Sequence, residues 1–379
     1  MFIDGEPADR LPVFYVSYVQ PGKDNARHPP MPPRDRGPHR VDLGPGEKIV
    51  PQQWKITVTT DRGDYQLVGS VTGADGTPIA YFVAGTGPRT WVLPLSTGTV
   101  ANSIALASVT PPWGSVFCHR NAHILNDESG APEFFGNGLR LVPMDGPDGK
   151  FTAERLEQSV QATAGHGIHS YEPAAVSLTQ CTESGTVYRP DEITAICAAA
   201  ERLGMVRHMD GARFGNAVAA LGCRPADVTW RAGVQMLSFG ASKNGCMAAE
   251  ALLTFDKSLL GETAERLRKR SGHLLSKMRY VSAQLLAYIE QDLWLEMAGH
   301  ANAQAARFAQ AVARHPEASL EYSVEANEVF VSWTAAGFQR LEAAGIQFLT
   351  WPGREDLARF VFSHCTTAQE TEALCDALV

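Results

Sequence analysis

A lysine and an aspartate 33 positions apart carry the strongest chemical signal in this chain. Asp210 closes the apolar run Met205-Val206-Arg207-His208-Met209 and is followed by Gly211-Ala212-Arg213. Lys243 follows a second apolar run, in Ser238-Phe239-Gly240-Ala241-Ser242-Lys243-Asn244-Gly245. An amine among small residues at a strand end can hold a carbonyl compound as a Schiff base. A carboxylate at a strand end can keep a proton on a heteroaromatic nitrogen. These are the two fixed points that pyridoxal phosphate requires, because its protonated ring serves as an electron sink. Taken singly, either residue reads as an ordinary capping Asp or solvated Lys; the pair points to the cofactor.

Other residues fit the same chemistry. Thr97-Gly98-Thr99 stands just before a helical run, where free amides and the positive end of the helix dipole suit a phosphate. The plain alternative is an N-cap. His123, in Cys118-His119-Arg120-Asn121-Ala122-His123, could stack on a flat ring or simply bond the backbone. The stretch 127–135, with its charges and aromatics, reads as a loop. Arg213 lies three residues after Asp210 and could clamp a carboxylate with its planar fork; Arg359 could add a second cation across a domain cleft. His166 and His169 form an H-x-x-H in a glycine-containing loop, but no helix and no third ligand accompany them, so no metal site is expected.

The elements that must position these residues alternate. Strands are predicted over 174–178, 205–209, 234–239 and 248–255, and helices over 100–107, 152–164 and 190–203, the last with Pro190 in its first turn. That pattern is α/β, with a parallel or mixed sheet covered on both faces. Long helices are expected over 257–270 and 282–314. The tail reads as strands at 320–324, 328–333, 347–350 and 359–364 with helices at 335–344 and 368–378, a compact α+β unit. The expected division is therefore 1–90, 91–290 as a large domain and 291–379 as a small one. Residues 1–90 stand apart: they hold 12 of the 23 prolines, crowded at 29–38, and a β-hairpin is predicted over 55–71, with a further strand at 78–85.

Composition narrows the function. Hydrophobic residues make up 44% and charged residues 20%, ordinary for a globular enzyme, and the net charge of −8 argues against a general nucleic-acid binder. The seven cysteines form no C-x-x-C pair, which fits reduced thiols in a cytoplasmic protein. Neither an 18-residue apolar run nor a basic leader is evident, so no membrane association is expected.

From about Leu95 onward the chain resembles the low-specificity L-threonine aldolases, including the phenylserine aldolases, of the β-eliminating lyase group. The resemblance rests on Thr97-Gly98-Thr99-Val100-Ala101-Asn102-Ser103, Gly130-Ala131-Pro132-Glu133-Phe134-Phe135, Ser184-Gly185-Thr186-Val187-Tyr188-Arg189-Pro190-Asp191-Glu192-Ile193, His208 to Arg213, Ser242-Lys243-Asn244-Gly245, Ser276-Lys277-Met278-Arg279-Tyr280 and Val324-Glu325-Ala326-Asn327 with Val329-Phe330. It implies a fold-type I pyridoxal phosphate enzyme that cleaves L-threonine, L-allo-threonine or a related β-hydroxy-α-amino acid to glycine and an aldehyde. β-Elimination is the alternative chemistry. By the same resemblance Lys243 would hold the cofactor, Asp210 its ring nitrogen, Gly98 and Thr99 its phosphate and His123 its ring face. Arg213 and Arg359 would hold the substrate carboxylate, with His123 or an ordered water taking the hydroxyl proton. Thr182 falls where some relatives carry a histidine near the substrate hydroxyl. A homodimer or homotetramer is implied. Members of the family open with a Ser-Asp-Asn segment and a Tyr-Gly segment, and residues 1–90 contain neither. That segment is expected to be a replacement or a shifted reading frame, with a catalytically impaired relative as one consequence.

Overall fold

The computed structural model describes residues 91–379 except 164–165, 257, 260, 352 and 379, together with the backbone of three earlier strands. Those strands, β1 (Gln53–Thr60), β2 (Gly63–Val71) and β3 (Pro78–Ala84), pair antiparallel in that order. The proline run at 29–38 lies outside the described residues.

A seven-stranded sheet forms the centre. Its strands are β4 (Trp91–Leu95), β5 (Gly114–His119), β6 (Arg140–Met144), β7 (Glu172–Thr179), β8 (Val206–Gly211), β9 (Met236–Gly240) and β10 (Glu250–Thr254), in the order β4-β10-β9-β8-β7-β5-β6. Neighbours from β9 through β6 run parallel, whereas β10 is antiparallel to both β9 and β4. Strands β5, β9 and β10 are buried along their whole length, as continuous apolar runs between helical layers require.

The helices of this unit are α1 (Gly98–Val109), α2 (His123–Asn126), α3 (Ala131–Phe135), α4 (Ala153–Thr163), α5 (Pro190–Arg202), α6 (Phe214–Leu221), α7 (Glu262–Arg270) and α8 (Arg279–Ile289). Helix α5 starts as its sequence dictates, with Pro190 at its first position and Glu192 reaching back to the Arg189 amide at 2.6 Å. Helix α9 (Leu293–Val312) then leads into β11 (Ser319–Leu320), β12 (Glu328–Ser332), α10 (Ala335–Ala343), β13 (Leu349–Trp351), β14 (Arg354–Val361) and α11 (Ala368–Asp376). The last four strands form an antiparallel sheet, β11-β12-β14-β13. One apolar core runs from Val92 to Trp294 and a second from Ala305 to Leu378, with α9 passing from one to the other.

Three expected elements are shorter than their sequence pattern. The helix expected over 282–314 is two helices, because Gln291 and Asp292 take left-handed φ of 57° and 59°. Packing imposes the break: Trp294 is fully buried, stacks on Phe214 at 6.1 Å, and offers its carbonyl to Asn244 at 2.8 Å. The helix expected from 257 starts at Glu262, after the extended Gly261. The strand expected over 320–324 closes at Leu320; beyond it one further amide, that of Glu321, donates to the Phe330 carbonyl at 3.0 Å, while the Glu321 carboxylate meets Ser332 and Arg354.

The parallel strands all end on one edge of the large sheet. Ligands of open α/β sheets bind outside such carboxyl ends, and the candidate residues converge there.

Candidate active site

Asp210 is the penultimate residue of β8 and is only 3% exposed. Its Oδ1 accepts from the Ala212 amide at 3.0 Å and its Oδ2 from Asn102 Nδ2 at 2.9 Å. Asn102 is delivered by α1, whose stretch from Val100 to Leu106 is buried. Two residues before Asp210, the buried His208 bridges Ser177 Oγ on β7 at 2.9 Å and Ser238 Oγ on β9 at 3.0 Å. Burial pushes this imidazole down to about 4, so it remains neutral at working pH and ties three strands together beneath the aspartate.

Lys243 sits in a single 3-10 turn, Ser242–Asn244, directly after β9. The turn is held from both sides. Asn244 donates to Tyr288 Oη at 2.7 Å and to the Trp294 carbonyl, while the amides of Ala241 and Ser242 donate to Glu250 at 3.3 Å. Gly245 closes it with φ of 111°, and a Cβ there would lie 2.1 Å from Met297 Cε. Burial pushes the Glu250 carboxyl up to about 7. The Lys243 amine makes no hydrogen bond or ion pair among the described residues. Removal from bulk water, then the neighbouring Arg213 charge, push its pKa down, which favours the free amine a nucleophile needs.

Gly98 and Thr99 open α1 immediately beyond β4. Thr97 caps the helix through Val100, and the space a Cβ on Gly98 would enter is open to 4 Å. Their amides are the first donors of a 12-residue helix.

His123 begins α2, and its Nδ1 lies 2.9 Å from Glu128 Oε1. The same oxygen accepts from Asn102 Nδ2 at 2.9 Å, so Asp210, Asn102, Glu128 and His123 form one connected chain. The Glu128 side chain is fully buried, and burial raises its pKa; its hydrogen bond in turn raises that of His123. Glu128→Gln should therefore lower the His123 imidazole pKa, as followed by NMR. An unmoved titration would show that Glu128 does not set it.

Arg213 precedes α6, and Arg359 lies toward the end of β14. Both reach Glu328 Oε1, at the start of β12: Arg213 at 3.1 Å, Arg359 through Nε at 2.8 Å and through a second, shorter contact from Nη2. The Glu328 carboxylate is wholly buried, so this triad joins the two cores at the cleft. A cleft of about 720 Å³ brings together His123, Glu183, Arg213, Lys243, Trp351 and Arg359. Thr182 is directed elsewhere, its hydroxyl 2.7 Å from Thr186 Oγ1 and 3.3 Å from the Asp148 carbonyl. The next residue, Glu183, faces the cleft instead. His166 and His169 lie in an exposed turn at Gly167–His169, away from all of this.

The family model for β-eliminating lyases matches residues 84–336. The chain belongs to the β-eliminating lyase family. It is 44% identical over 277 residues to the low specificity L-threonine aldolase of Pseudomonas aeruginosa, covering 73% of this chain and 79% of that protein. It is 43% identical over 266 residues to the same enzyme of another Pseudomonas, covering 70% and 76%. Among solved structures, a Leishmania major threonine aldolase superposes with a TM-score of 0.71 at 26% identity, covering 76% of this chain and 83% of that one. The fold is that of the fold-type I lyases.

β-Eliminating lyases use pyridoxal phosphate, and this member's cleft fits it. An unpaired amine, a buried carboxylate and an open anion cradle at a helix start share one edge of the sheet. Four residues that line or support the candidate site carry no such signal in the sequence: Asn102, Glu128, Glu183 and Glu328. Asn102 lies one helical turn past Thr99, within the Thr97–Ser103 motif, but nothing local says that it reaches Asp210. Glu128 was read as part of a plain loop. Glu328 stands inside the strand motif that matched on both of its sides. Glu183 was displaced by one position, because side-chain direction in a turn cannot be read from sequence order. All seven cysteines are free thiols. Among the described residues no helix is long and apolar enough to cross a membrane.

Proposed function

We propose that this lyase is an aldolase that cleaves L-threonine, L-allo-threonine or a related β-hydroxy-α-amino acid to glycine and an aldehyde. The supporting observation is the meeting of Asp210, Lys243, Gly98 and Arg213 at one strand edge, with Arg359 delivered from the small unit. The names of the Pseudomonas relatives support the same reaction.

Each residue then has a physical task. Lys243 would hold the cofactor covalently, and its depressed pKa makes the amine available for that bond. Gly98 and Thr99 would hold the phosphate with their amides. Asp210, fixed by Asn102 and Ala212, would keep a proton at the ring nitrogen, and His123, fixed by Glu128, would lie over the ring face. When bound, pyridoxal phosphate supplies an electron-poor ring that accepts the electron pair left at the substrate Cα. Two guanidiniums share the one buried Glu328 carboxylate, so their remaining N–H donors stay available for the α-carboxylate of an amino acid. Glu328 thereby also pre-orients both forks.

Arg213→Lys and Arg359→Lys should each raise KM for L-threonine, since lysine cannot make the two-point contact. The loss should be about 1.5–3 kcal/mol for each. Unchanged KM in both variants would place the carboxylate elsewhere. A product assay tests the reaction itself: glycine and acetaldehyde from L-threonine support aldol cleavage, whereas ammonia and a 2-keto acid in their place would make the protein an eliminating lyase. We further propose a cytoplasmic homodimer or homotetramer. Free cysteines and the relatives' fold favour that reading, and light scattering of the purified protein tests the assembly.

A further inference from the structure

The hydroxyl proton needs an acceptor, and the cleft offers few. His123 is the ring-facing residue in the reading above, held there through its Nδ1 by Glu128. Glu328 and Asp210 are committed to Arg213, Arg359, Asn102 and Ala212. Asp127 sits at the exposed rim. Glu183 differs from all of these. It lines the cleft, and its carboxylate has no hydrogen-bond or ion-pair partner among the described residues.

The backbone around Glu183 is rigid. The amide of Thr182 donates to the Thr186 carbonyl at 2.9 Å, and the amide of Gly185 donates to the Thr182 carbonyl at 3.0 Å. The Thr182 hydroxyl accepts from the amides of Ser184 and Thr186, and Thr186 Oγ1 donates to the Asp148 carbonyl at 2.6 Å. Gly185 has φ of 76°, and a Cβ there would lie 3.1 Å from the Glu328 carbonyl oxygen. The turn is thus locked against β12, and Glu183 is presented at its tip. A site this stiff, holding a side chain with no structural bond of its own, is built to point that side chain at something bound in the cleft.

We infer that Glu183 is a catalytic residue of this aldolase, the carboxylate that takes the β-hydroxyl proton as the Cα–Cβ bond breaks. The inference rests on the aldolase reading above. The O–H bond breaks and its proton goes to a Glu183 carboxylate oxygen. The released pair becomes the second C–O bond of the aldehyde, and the Cα–Cβ pair stays on Cα, in the electron sink the cofactor supplies. Cα then takes a proton and Glu183 gives its own to water, so no oxidant or reductant is needed. In the reverse direction the protonated acid donates to the aldehyde oxygen. Charge around the group suits this use. Removal from water raises its pKa, while Arg213 and Lys243 oppose the rise; Glu328, Asp210, His123 and the buried Cys181 thiol also couple to it. A carboxylate raised toward neutrality is a better matched base than one at its ordinary value.

The test uses the full holoenzyme and Glu183→Gln. Three quantities are measured: aldehyde release from L-threonine, exchange of the glycine α-proton with D2O by NMR, and the thermal transition. Glycine has no β-hydroxyl, so its exchange does not need this base. Cleavage should fall roughly 10²–10³-fold, as for loss of a general base. Exchange should stay within about threefold of wild type and the transition should not move. The wild-type kcat profile should also show an acid limb above the ordinary glutamate pKa, lost from the residual activity of E183Q. Cleavage by E183Q within about threefold of wild type, with that limb retained, overturns the role. So does an equal loss of cleavage and exchange, which marks a structural residue. A wild type that exchanges glycine but releases no aldehyde overturns the aldolase reading, and this role with it. Should E183Q lose its thermal transition, the same comparison on Glu183→Ala, which also removes the carboxylate, decides by the same criteria.

Discussion

Lys243→Ala should remove turnover and the visible absorbance of lysine-held cofactor while leaving the folded chain intact. The activity loss should be on the order of 10⁴-fold or more, the scale seen when a covalent catalytic group is deleted. The fold should survive because nothing leans on this side chain. Its amine has no partner among the described residues, and the turn that carries it is fixed by Asn244, Ser242 and Glu250 instead. The electrostatic sign agrees. The folded-state pKa of Lys243 lies below its ordinary value, so at neutral pH the folded chain bears a cost for keeping the ammonium charged, a cost that diminishes as pH rises through the folded pKa. Alanine removes that cost. The apo variant should therefore unfold at or slightly above the temperature of the apo wild type. The comparison must be between apo forms, because bound cofactor stabilises the wild type by mass action. A variant that still cleaves threonine near the wild-type rate would sink the assignment. A variant that unfolds early would instead show that Lys243 has a structural partner.

Much of the candidate site is legible in the sequence, for a physical reason. Asp210 and Lys243 each end an apolar run, and the carboxyl ends of parallel strands are where open α/β sheets place chemistry. Thr97-Gly98-Thr99 was legible because helix starts have their own composition. What stayed hidden was whatever depends on direction or distance. Asn102 looks like a polar residue in a buried helix until α1 is seen lying across the end of β8. Glu328 appears in a strand as one more alternating position, yet it links two arginines that are 146 residues apart in the chain. The one-residue difference between Thr182 and Glu183 is the clearest case, because the two side chains leave a tight turn in opposite directions and only the turn's hydrogen bonds decide which enters the cleft. The broken helix at Gln291 and Asp292 belongs to the same class. Local propensity favours continuing it, and the burial of Trp294 between Phe214, Phe239 and Tyr288 overrides that preference.

Asp210→Asn should keep the cofactor and lose most of the activity. Retention would follow from the other proposed anchors, since neither a covalent hold by Lys243 nor the amides of Gly98 and Thr99 would involve this carboxylate. The activity should fall about 10²–10³-fold or more, the range for removing one preorganised charge-stabilising group. A neutral amide cannot hold a proton on the ring nitrogen, and without that charge the electron pair at Cα loses its stabilisation. Stability should also drop, for a reason the geometry supplies. The aspartate accepts two hydrogen bonds, one per oxygen, from Ala212 and from the buried Asn102. Asparagine offers one oxygen and turns an NH2 toward the other donor. Leaving one buried donor unsatisfied costs about 1–3 kcal/mol. The strands beneath stay joined through His208, whose bonds to Ser177 and Ser238 do not involve residue 210. The variant should therefore melt a few degrees lower but cooperatively, carry cofactor, and turn over slowly. Equal specific activity in the folded fraction would make Asp210 a structural residue only. Loss of cofactor together with normal stability would instead assign it to cofactor capture and leave the electron sink without a protein partner.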